Sequence, residues 1–194
     1  KEVRMYPEIA IRELVANALI HQDFDEKGFP MIEIYSDRIE ISNPGLPLIT
    51  PDRFIDEYQS RNEKLADLLR RFGICEEKGS GIDKVIDSTE VYQLPATDFI
   101  IQQRHTKAIL YAYQQLNDMD KKDKIRATYQ HCCLRYVTNE KMTNQSLRNR
   151  FAIEEHNAAT ASRIIRDTLE SGLIKDDDPT TKSRKYAKYI PFWA

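Results

Sequence analysis

Apolar residues recur with two different periods along the first 113 residues. Around Leu14 they return every three to four positions, which predicts an amphipathic helix that accepts Pro7 in its first turn. On either side of Ser36-Asp37, apolar and charged residues alternate, a pattern typical of a hairpin with one face in water. Together the elements predict an α+β layer. They are a helix over 7–21, strands over 31–35 and 38–42, helices over 62–72 and 81–88, and strands over 99–103 and 108–111.

A polar and charged run predicts a linker over 114–124 between a first domain, 1–113, and a second domain, 125–194. Thr143 is a typical N-cap and Gly172 a typical C-cap for the helical spacing that follows. Three helices followed by a two-stranded ribbon are the element order of a winged helix-turn-helix domain. The predicted elements are helices over 124–137, 143–151 and 158–171 and strands over 173–175 and 186–190.

Charge is distributed unevenly along the chain. Residues 1–116 contain 14 Lys or Arg and 20 Asp or Glu, a net charge of −6, whereas residues 117–194 contain 15 and 11, a net charge of +4. The basic surplus predicts that the second domain meets a polyanion such as nucleic acid. No apolar run reaches the ~18 residues that cross a bilayer, so we expect a cytoplasmic protein without membrane attachment.

The cysteines and the first residue also bear on the class of protein. Cys75 and the adjacent Cys132-Cys133 have neither C-x-x-C spacing nor the pattern of a disulfide framework, so we expect buried thiols. The chain starts at Lys1, directly before its first motif, and we therefore expect the first domain to be truncated at its N-terminus.

Two polar residues of the first helix form a candidate catalytic pair. Glu13 and Asn17 are four positions apart, so a helix places them on one face, one turn from each other. A carboxylate can orient a water molecule, and an amide oxygen can bind Mg²⁺. The alternative is a pair of solvated side chains on an exposed helix face.

Glycines open the last helix of the first domain. Gly79-Ser80-Gly81 exposes backbone N–H groups and the positive end of a helix dipole, both of which suit a phosphate. A tight turn that needs glycine for its backbone conformation is the alternative. The sequence has no Gly-x-x-x-x-Gly-Lys-[Ser/Thr] phosphate loop, which excludes a P-loop helicase motor within it.

Over about residues 5–103 the chain resembles the RecG C-terminal-like ATPase family, a divergent branch of the GHKL superfamily. The resemblance implies a GHKL-like (Bergerat) α/β sandwich in a bacterial protein. In that family the domain commonly follows an AlbA-like, Schlafen-type domain and precedes a winged helix, and its members are described as transcriptional regulators or ATP-dependent helicases. The matching blocks are Tyr6-Pro7-x-x-Ala10-x-Arg12-Glu13-x-x-x-Asn17-Ala18-x-x-His21-x-Asp23-Phe24, Ser36-Asp37-Arg38-Ile39-Glu40-Ile41-Ser42-Asn43-Pro44-Gly45, Ser60-Arg61-Asn62 and Gly79-Ser80-Gly81-Ile82.

The resemblance implies roles for individual residues. Glu13 corresponds to the general base, and Asn17 corresponds to the asparagine that binds Mg²⁺. Gly79-Ser80-Gly81 corresponds to the loop that holds the phosphates of ATP. The implied cofactors are therefore ATP and Mg²⁺, with a domain that binds neither as the alternative.

The middle block departs from the superfamily pattern. Asn43-Pro44-Gly45-Leu46-Pro47 stands where the superfamily has Asp-x-Gly-x-Gly, whose aspartate accepts a hydrogen bond from the adenine amino group. Asn43 can still accept through its amide oxygen, and Gly45 is retained, but a carboxylate charge is lost and Pro47 replaces a flexible glycine. This block indicates a degenerate or sensor-type nucleotide site.

The second domain has a basic candidate DNA surface. A winged helix lays its third helix in the major groove, and its wing contacts phosphates or the minor groove. Asn157 is the expected cap of that helix. The alternatives are lysines that protect a strand edge and a winged helix that binds protein. The candidate DNA-binding residues are Thr160, Ser162, Arg163 and Arg166 on the helix and Lys182, Arg184, Lys185 and Lys188 on the wing.

The leading hypothesis is a transcriptional regulator that binds double-stranded DNA and carries a degenerate or sensor-type GHKL-like domain. An active Mg²⁺-dependent ATPase related to the helicase family is the alternative, and a purely structural domain is a third. A homodimer is left open, because the apolar residues 189–194 either pack on the wing or dock on a second subunit.

Overall fold

Two units make up the chain, Lys1–Tyr113 and Gln114–Ala194. The computed structural model describes residues 5–75, 79–180 and 187–194. Within these ranges both units combine helices with antiparallel strands, which agrees with the predicted α+β class.

The first unit contains an antiparallel sheet formed by β1 (Met31–Ile34), β2 (Arg38–Pro44), β3 (Asp98–Gln102) and β4 (His105–Tyr111). The strand order is β1-β2-β4-β3. Side chains alternate between the two faces of a strand, so Ile39 and Ile41 of β2 share the face that packs on the helices. Leu110 of β4 lies opposite Ile39 and is fully buried, which places the core on this face.

The helices of the first unit are α1 (Glu8–His21), α2 (Glu63–Arg71) and α3 (Gly81–Val91). α1 packs against α3 and β2 and joins the core through Leu14, which meets Val85 of α3 in the same cluster. Burial of a side chain such as Leu14 contributes about 1.5–3 kcal/mol to folding. A smaller cluster of Ile20, Ala66 and Leu69 holds α2 against the end of α1.

A buried ion-pair network lies on the opposite face of the sheet. The carboxylate of Glu40 accepts hydrogen bonds from Arg38 Nε at 2.6 Å and from Lys107 Nζ. These hydrogen bonds, that of Lys107 first, hold the pKa of Glu40 below its usual value. The network compensates a charge that would be costly to bury alone.

Two strands of the first unit are longer than predicted. β2 continues to Pro44, which lies at the last ladder position, opposite His105, where a proline is tolerated. β4 begins at His105 rather than at 108, because the polar Thr106 and Lys107 still pair with β2. Apolar alternation does not indicate these strand ends, because the residues that extend the strands are a proline and polar side chains.

The second unit contains α4 (Lys121–Val137), α5 (Asn144–Arg150) and α6 (Ala158–Glu170), followed by the antiparallel strands β5 (Ile174–Asp176) and β6 (Tyr189–Pro191). α6 packs against α4 and α5 and buries Ile164 and Ile165. A backbone bridge pairs Met142, between α4 and α5, with Tyr189 of β6. The order of helices and strands is the predicted one.

The first helix of this unit begins earlier than predicted. The side chain of Asp120 accepts a hydrogen bond from Asp123 N at 2.7 Å and caps the helix. α4 therefore begins at Lys121, inside the segment 114–124 for which the sequence predicts a linker.

The caps of the next two helices differ in kind. Thr143 caps α5 as predicted, because it accepts from Ser146 N at 3.1 Å while Ser146 Oγ accepts from Thr143 N at 3.0 Å. Asn157 is the N-cap residue of α6, as predicted, but its side chain makes no capping bond and its Nδ2 lies 3.2 Å from His156 Nε2. Gly172 follows α6 with a φ of +75°, the conformation expected of a glycine C-cap.

The C-terminal aromatic residues pack on α4. Trp193 Nε1 donates to the hydroxyl of Tyr129 at 3.1 Å, and the rings of Phe192 and Tyr129 stack with centroids 6.2 Å apart. Trp193 also meets Tyr136 edge to face at 5.4 Å. Phe192 N also donates to the carbonyl of Leu173 at 3.0 Å, and Lys175 Nζ of β5 donates to the carbonyl of Phe192 at 3.2 Å. The end of the chain therefore packs within its own unit, both on α4 and on the strand pair β5–β6.

The described ranges contain no helix with both the length and the apolar composition to cross a membrane. Cys132 and Cys133 are fully buried in α4, as expected for structural thiols, and Cys75 is half-buried. Burial raises the pKa of the Cys132 thiol, which keeps it protonated.

Candidate functional site

A cavity of about 120 Å³ lies in the first unit between α1, the end of β2 and the start of α3. This volume is several times what a single water molecule requires. Glu13 and Asn17 line the cavity from α1, Asn43 lines it from β2, and Gly79 and Gly81 line it from the start of α3. Three blocks that are distant in sequence therefore meet around one space.

Glu13 is almost completely buried in this wall, with 2 % of its surface exposed. Its Oε1 accepts a hydrogen bond from Arg12 Nη2 at 3.2 Å. Its Oε2 faces Gly81 so closely that a Cβ at position 81 would lie 2.9 Å from it and 3.9 Å from Asn17 Nδ2. Glycine at position 81 thus leaves room for a carboxylate and an amide side by side. The carboxylate suits an attacking water, and the amide suits a hard cation through its oxygen, Asn17 Oδ1.

Asn43 and Thr106 form a polar pair at another part of the cavity. They are directly opposite each other in the β2–β4 ladder, and both line the cavity. Asn43 Nδ2 donates to the carbonyl of Pro44 at 3.0 Å, so the group with which Asn43 can accept a hydrogen bond is Oδ1. Thr106 Oγ1 donates to the carbonyl of Gly45 at 2.8 Å. Sequence reasoning missed Thr106, because its strand was expected to begin two residues later.

Apolar and aromatic side chains form the wall next to this pair. Ile41 and Ala108 contribute from the sheet, and Leu48 contributes from the connection after β2. The rings of Phe54 and Phe99 meet edge to face with centroids 5.3 Å apart, and both line the cavity. A largely apolar wall beside an acceptor and a hydroxyl is suited to a heterocyclic base.

Polar side chains from α1 and α2 also reach the cavity. Arg70 lines it from α2, and hydrogen bonds from its guanidinium to Tyr58 and to Asp67 raise the pKa of Arg70 further. His21 lines it from α1. The pKa of His21 is lowered mainly by burial and to a smaller extent by the nearby positive charge of Arg61. At neutral pH His21 is therefore an uncharged hydrogen-bonding group, whereas Arg70 is a cation suited to phosphate.

Two predicted site residues do not line the cavity. Gly45 has a φ of +107°, and a Cβ there would lie 2.8 Å from Asp23 Cβ, so this glycine is required for a close backbone approach. Ser80 is the N-cap of α3 without a side-chain capping bond. Both residues therefore shape the backbone next to the cavity, and neither contributes to its wall.

Asp83 lies in the first turn of α3, two positions after Gly81. Its Oδ1 is buried and has no hydrogen-bond partner among the described residues. Burial raises the pKa of Asp83 to about 6. The folded chain thus retains a proton on this carboxyl at pH values where the unfolded chain has released it.

We predict that Asp83→Asn stabilises the chain at neutral pH. Because the pKa of the folded state lies above that of the unfolded state, the stability contributed by Asp83 is complete below about pH 4 and is lost as the pH rises through about 6. The ionised carboxylate then costs on the order of 1–3 kcal/mol, which the uncharged amide avoids.

Urea unfolding at about pH 4 and about pH 7.5 measures the free energy of unfolding of the parent chain and of Asp83→Asn. Asp87→Asn, on the exposed side of α3, is the matched control. An equal gain for Asp83→Asn at both pH values would contradict the prediction.

The candidate DNA-binding residues of the second unit are distributed over α6 and the approach to β6. Ser162, Arg163 and Arg166 are exposed on α6, and Lys188 is exposed just before β6. Thr160 is half-buried. Ser162 Oγ accepts from Asn144 Nδ2 at 3.0 Å, and Arg166 Nε lies 3.9 Å from Glu170 Oε1. Three further candidates, Lys182, Arg184 and Lys185, lie outside the described residues.

Comparison with known proteins finds a family match over the central segment. Residues 28–110 match the family described as "Putative ATP-dependent DNA helicase recG C-terminal". The predicted resemblance to the RecG C-terminal-like family is therefore confirmed for this segment, and a divergent GHKL ATPase-like domain is consistent with it. The match covers β1, β2, α2, α3 and β3, and β4 except for its last residue. It does not include α1, the helix that carries Glu13 and Asn17.

A solved structure shares the fold. The DIP2311 protein from Corynebacterium diphtheriae is similar over 98% of this chain, with a TM-score of 0.56 and 18% sequence identity. The chain spans 40% of the length of that protein. No curated protein matches the chain.

Proposed function

We propose that the chain is a DNA-binding transcriptional regulator that responds to an adenine nucleotide. In this proposal the first unit is a GHKL-like domain that binds the nucleotide, and the second is a winged helix-turn-helix domain that binds double-stranded DNA. The observation that carries the proposal is that Glu13, Asn17, Asn43, Gly79 and Gly81 line the same cavity. The match of residues 28–110 to an ATPase-like family supports the nucleotide as ligand.

The donor set of the cavity fits ATP with Mg²⁺. The apolar wall and the Asn43–Thr106 pair would hold the base, since a heterocycle needs one flat face and a few polar partners. The N-terminus of α3 next to Gly79 and Gly81 would receive phosphate. Asn17, beside Glu13, would bind Mg²⁺, which neutralises phosphate charge when bound.

The same cavity favours a sensor over a fast enzyme. Asn43 offers an amide oxygen and no charge, and its amide is already oriented by the carbonyl of Pro44. Pro47 lines the cavity where a flexible glycine stands in the superfamily, which restricts movement of the chain around a ligand. A site that binds the nucleotide and turns it over slowly would report nucleotide level to the DNA-binding unit.

Calorimetric titration with a non-hydrolysable ATP analogue and Mg²⁺ tests the nucleotide part of this proposal. We expect binding heat and a rise in melting temperature, because a ligand at 100 times its Kd stabilises the folded state by about 2.7 kcal/mol. Omitting Mg²⁺ should weaken binding, since Asn17 would then meet the phosphates without a cation. Absence of both heat and stabilisation would exclude a working nucleotide site.

The exposed basic residues of α6 support the DNA-binding part. The helix buries its apolar side on α4 and α5. Its surface carries the basic Arg163 and Arg166 together with the polar Ser162. Fluorescence anisotropy with duplex DNA at low salt tests this part directly. We expect binding that weakens steeply as salt is added, because phosphate contacts release counterions.

An active Mg²⁺-dependent ATPase is the second candidate function. It is favoured by one observation, the burial of the Glu13 carboxylate between Arg12 and Gly81, next to Asn17. A carboxylate held in this way can accept a proton from an attacking water. Phosphate release that is lost in Glu13→Gln while analogue binding remains would favour the enzyme over the sensor.

A further inference from the structure

One guanidinium joins three separate segments beside the cavity. Arg61 Nη1 donates to Asp23 Oδ2 at 2.9 Å, and Arg61 Nη2 donates to the carbonyl of Leu46 at 2.7 Å. Asp23 follows the end of α1, Leu46 follows the end of β2, and Arg61 itself lies just before α2. The side chains of Arg61 and Asp23 are both 24% exposed, so this pair is more sheltered than a typical surface ion pair.

Neighbouring hydrogen bonds connect the same three segments. Asn62 Nδ2 donates to the carbonyls of Ile20 and Gln22, at 2.9 and 2.8 Å, and thereby satisfies carbonyl groups at the end of α1. The backbone N–H of Asp23 donates to the carbonyl of Pro44 at 2.9 Å. The start of α2, the end of α1 and the end of β2 are thus tied at one junction.

Each segment at this junction also carries a wall of the cavity. α1 contributes Asn17 and His21, the end of β2 and its exit contribute Asn43 and Pro47, and α2 contributes Arg70. The segments are separated in sequence, so their relative position depends on contacts such as those of the junction. A shift of about 1 Å between groups that hold a ligand is enough to lower activity about 100-fold.

We propose that Arg61 is a positioning residue that holds the walls of the cavity at the spacing a nucleotide requires. It acts through Asp23 and the carbonyl of Leu46 and does not itself line the cavity. This role rests on the proposed nucleotide-binding function. Arginine is needed because its planar fork serves a carboxylate and a carbonyl at the same time, whereas lysine is a single point charge.

Hydrogen exchange and calorimetry on Arg61→Ala and Arg61→Lys test the proposal. In Arg61→Ala we expect faster amide exchange in 20–24 and 43–48 and an affinity for the ATP analogue about 10- to 100-fold lower, as for other residues that orient ligand-binding groups. Arg61→Lys keeps the positive charge, and both measurements can be made on it if the alanine variant fails to fold. It should lie between the parent chain and Arg61→Ala in both measurements.

Arg104→Ala is the matched control. Arg104 forms an ion pair with Glu26 in the same unit at 2.6 Å, but its side chain is 73% exposed and does not line the cavity. The backbone carbonyl of Arg104, which accepts from Gly45 N at 2.7 Å, is retained in this variant. Removal of the side chain should therefore leave both exchange and affinity unchanged.

The two measurements separate failure of this role from failure of the proposed function. If the parent chain binds no nucleotide, the proposed function fails. Unchanged exchange in Arg61→Ala would show independently that Arg61 does not hold the three segments together. If affinity falls while exchange in 20–24 and 43–48 stays the same, Arg61 acts on the ligand directly and the positioning role is wrong. If exchange rises but affinity is unchanged, the junction does not determine the spacing of the cavity walls, and the positioning role is again wrong.

Discussion

A Gly81→Ala variant is expected to fold at least as stably as the parent chain and to bind an ATP analogue about 10- to 100-fold more weakly. Gly81 begins α3 without the positive φ that would require glycine, so alanine meets no backbone strain there. Alanine also favours a helix by up to about 1 kcal/mol over glycine. Its methyl group, however, would lie 2.9 Å from Glu13 Oε2, closer than real side chains approach each other.

The carboxylate of Glu13 is the part that must move in this variant. It is the end of a flexible side chain, so the displacement costs little stability, but it removes Glu13 from its place beside Asn17. Thermal melting and calorimetry with the analogue and Mg²⁺ measure the two effects separately. Asp87→Ala, at an exposed position of α3, has the same helix-favouring character without touching the cavity. Unchanged affinity in a stable Gly81→Ala chain would show that the spacing of α1 and α3 is irrelevant to the ligand.

The existence of α1 and of the β1–β2 hairpin is predictable from their periodic patterns, and the structure contains both. Their burial is not, because neighbouring elements decide it. β2 is almost entirely buried on both faces, whereas Ile34 of β1, expected to face the core, is 77% exposed. Pro44 and Thr106 are different, because a proline and a polar residue at strand ends are in the ladder only through pairing with a distant segment. α4 begins at Lys121 because the side chain of Asp120 caps it there. A cap changes where a helix begins but not the spacing of its apolar residues, so periodicity does not show the helix start.

The site could be predicted only in part, as Gly45 and Gly81 show. Both occur in motif blocks and both were expected at the nucleotide. Gly45 accommodates Asp23 at a φ of +107°, whereas Gly81 accommodates the carboxylate of Glu13 at an ordinary helical conformation. The local sequence contains no sign of which neighbour a glycine meets, because that neighbour comes from another part of the chain. The role of Arg61 is hidden for the same reason, since its partners follow two other elements.

Arg163→Glu in α6 is expected to weaken binding to duplex DNA about 10- to 100-fold at low salt. Arg163 is exposed, and reversal of its charge both removes an attraction to the phosphate backbone and adds a repulsion. Arg166, three positions further along the same helix face, should behave alike, although its distant ion pair with Glu170 reduces the effect. Anisotropy measured over a series of salt concentrations should also show a salt dependence whose slope is lower by about 1 for each phosphate that the variant no longer neutralises.

Lys122→Glu separates a DNA-binding face from a general excess of positive charge. Lys122 is exposed in the first turn of α4, and its reversal changes the net charge by the same amount as Arg163→Glu. If α6 enters the major groove, Lys122→Glu should change affinity much less than Arg163→Glu when both are compared at about 0.1 M salt, because attraction is then screened beyond about 10 Å and Lys122 is not on α6. Equal losses of affinity in the two variants would mean that only net charge matters. A parent chain that binds no duplex at low salt would contradict the DNA-binding role and favour the alternative of a winged helix that binds protein.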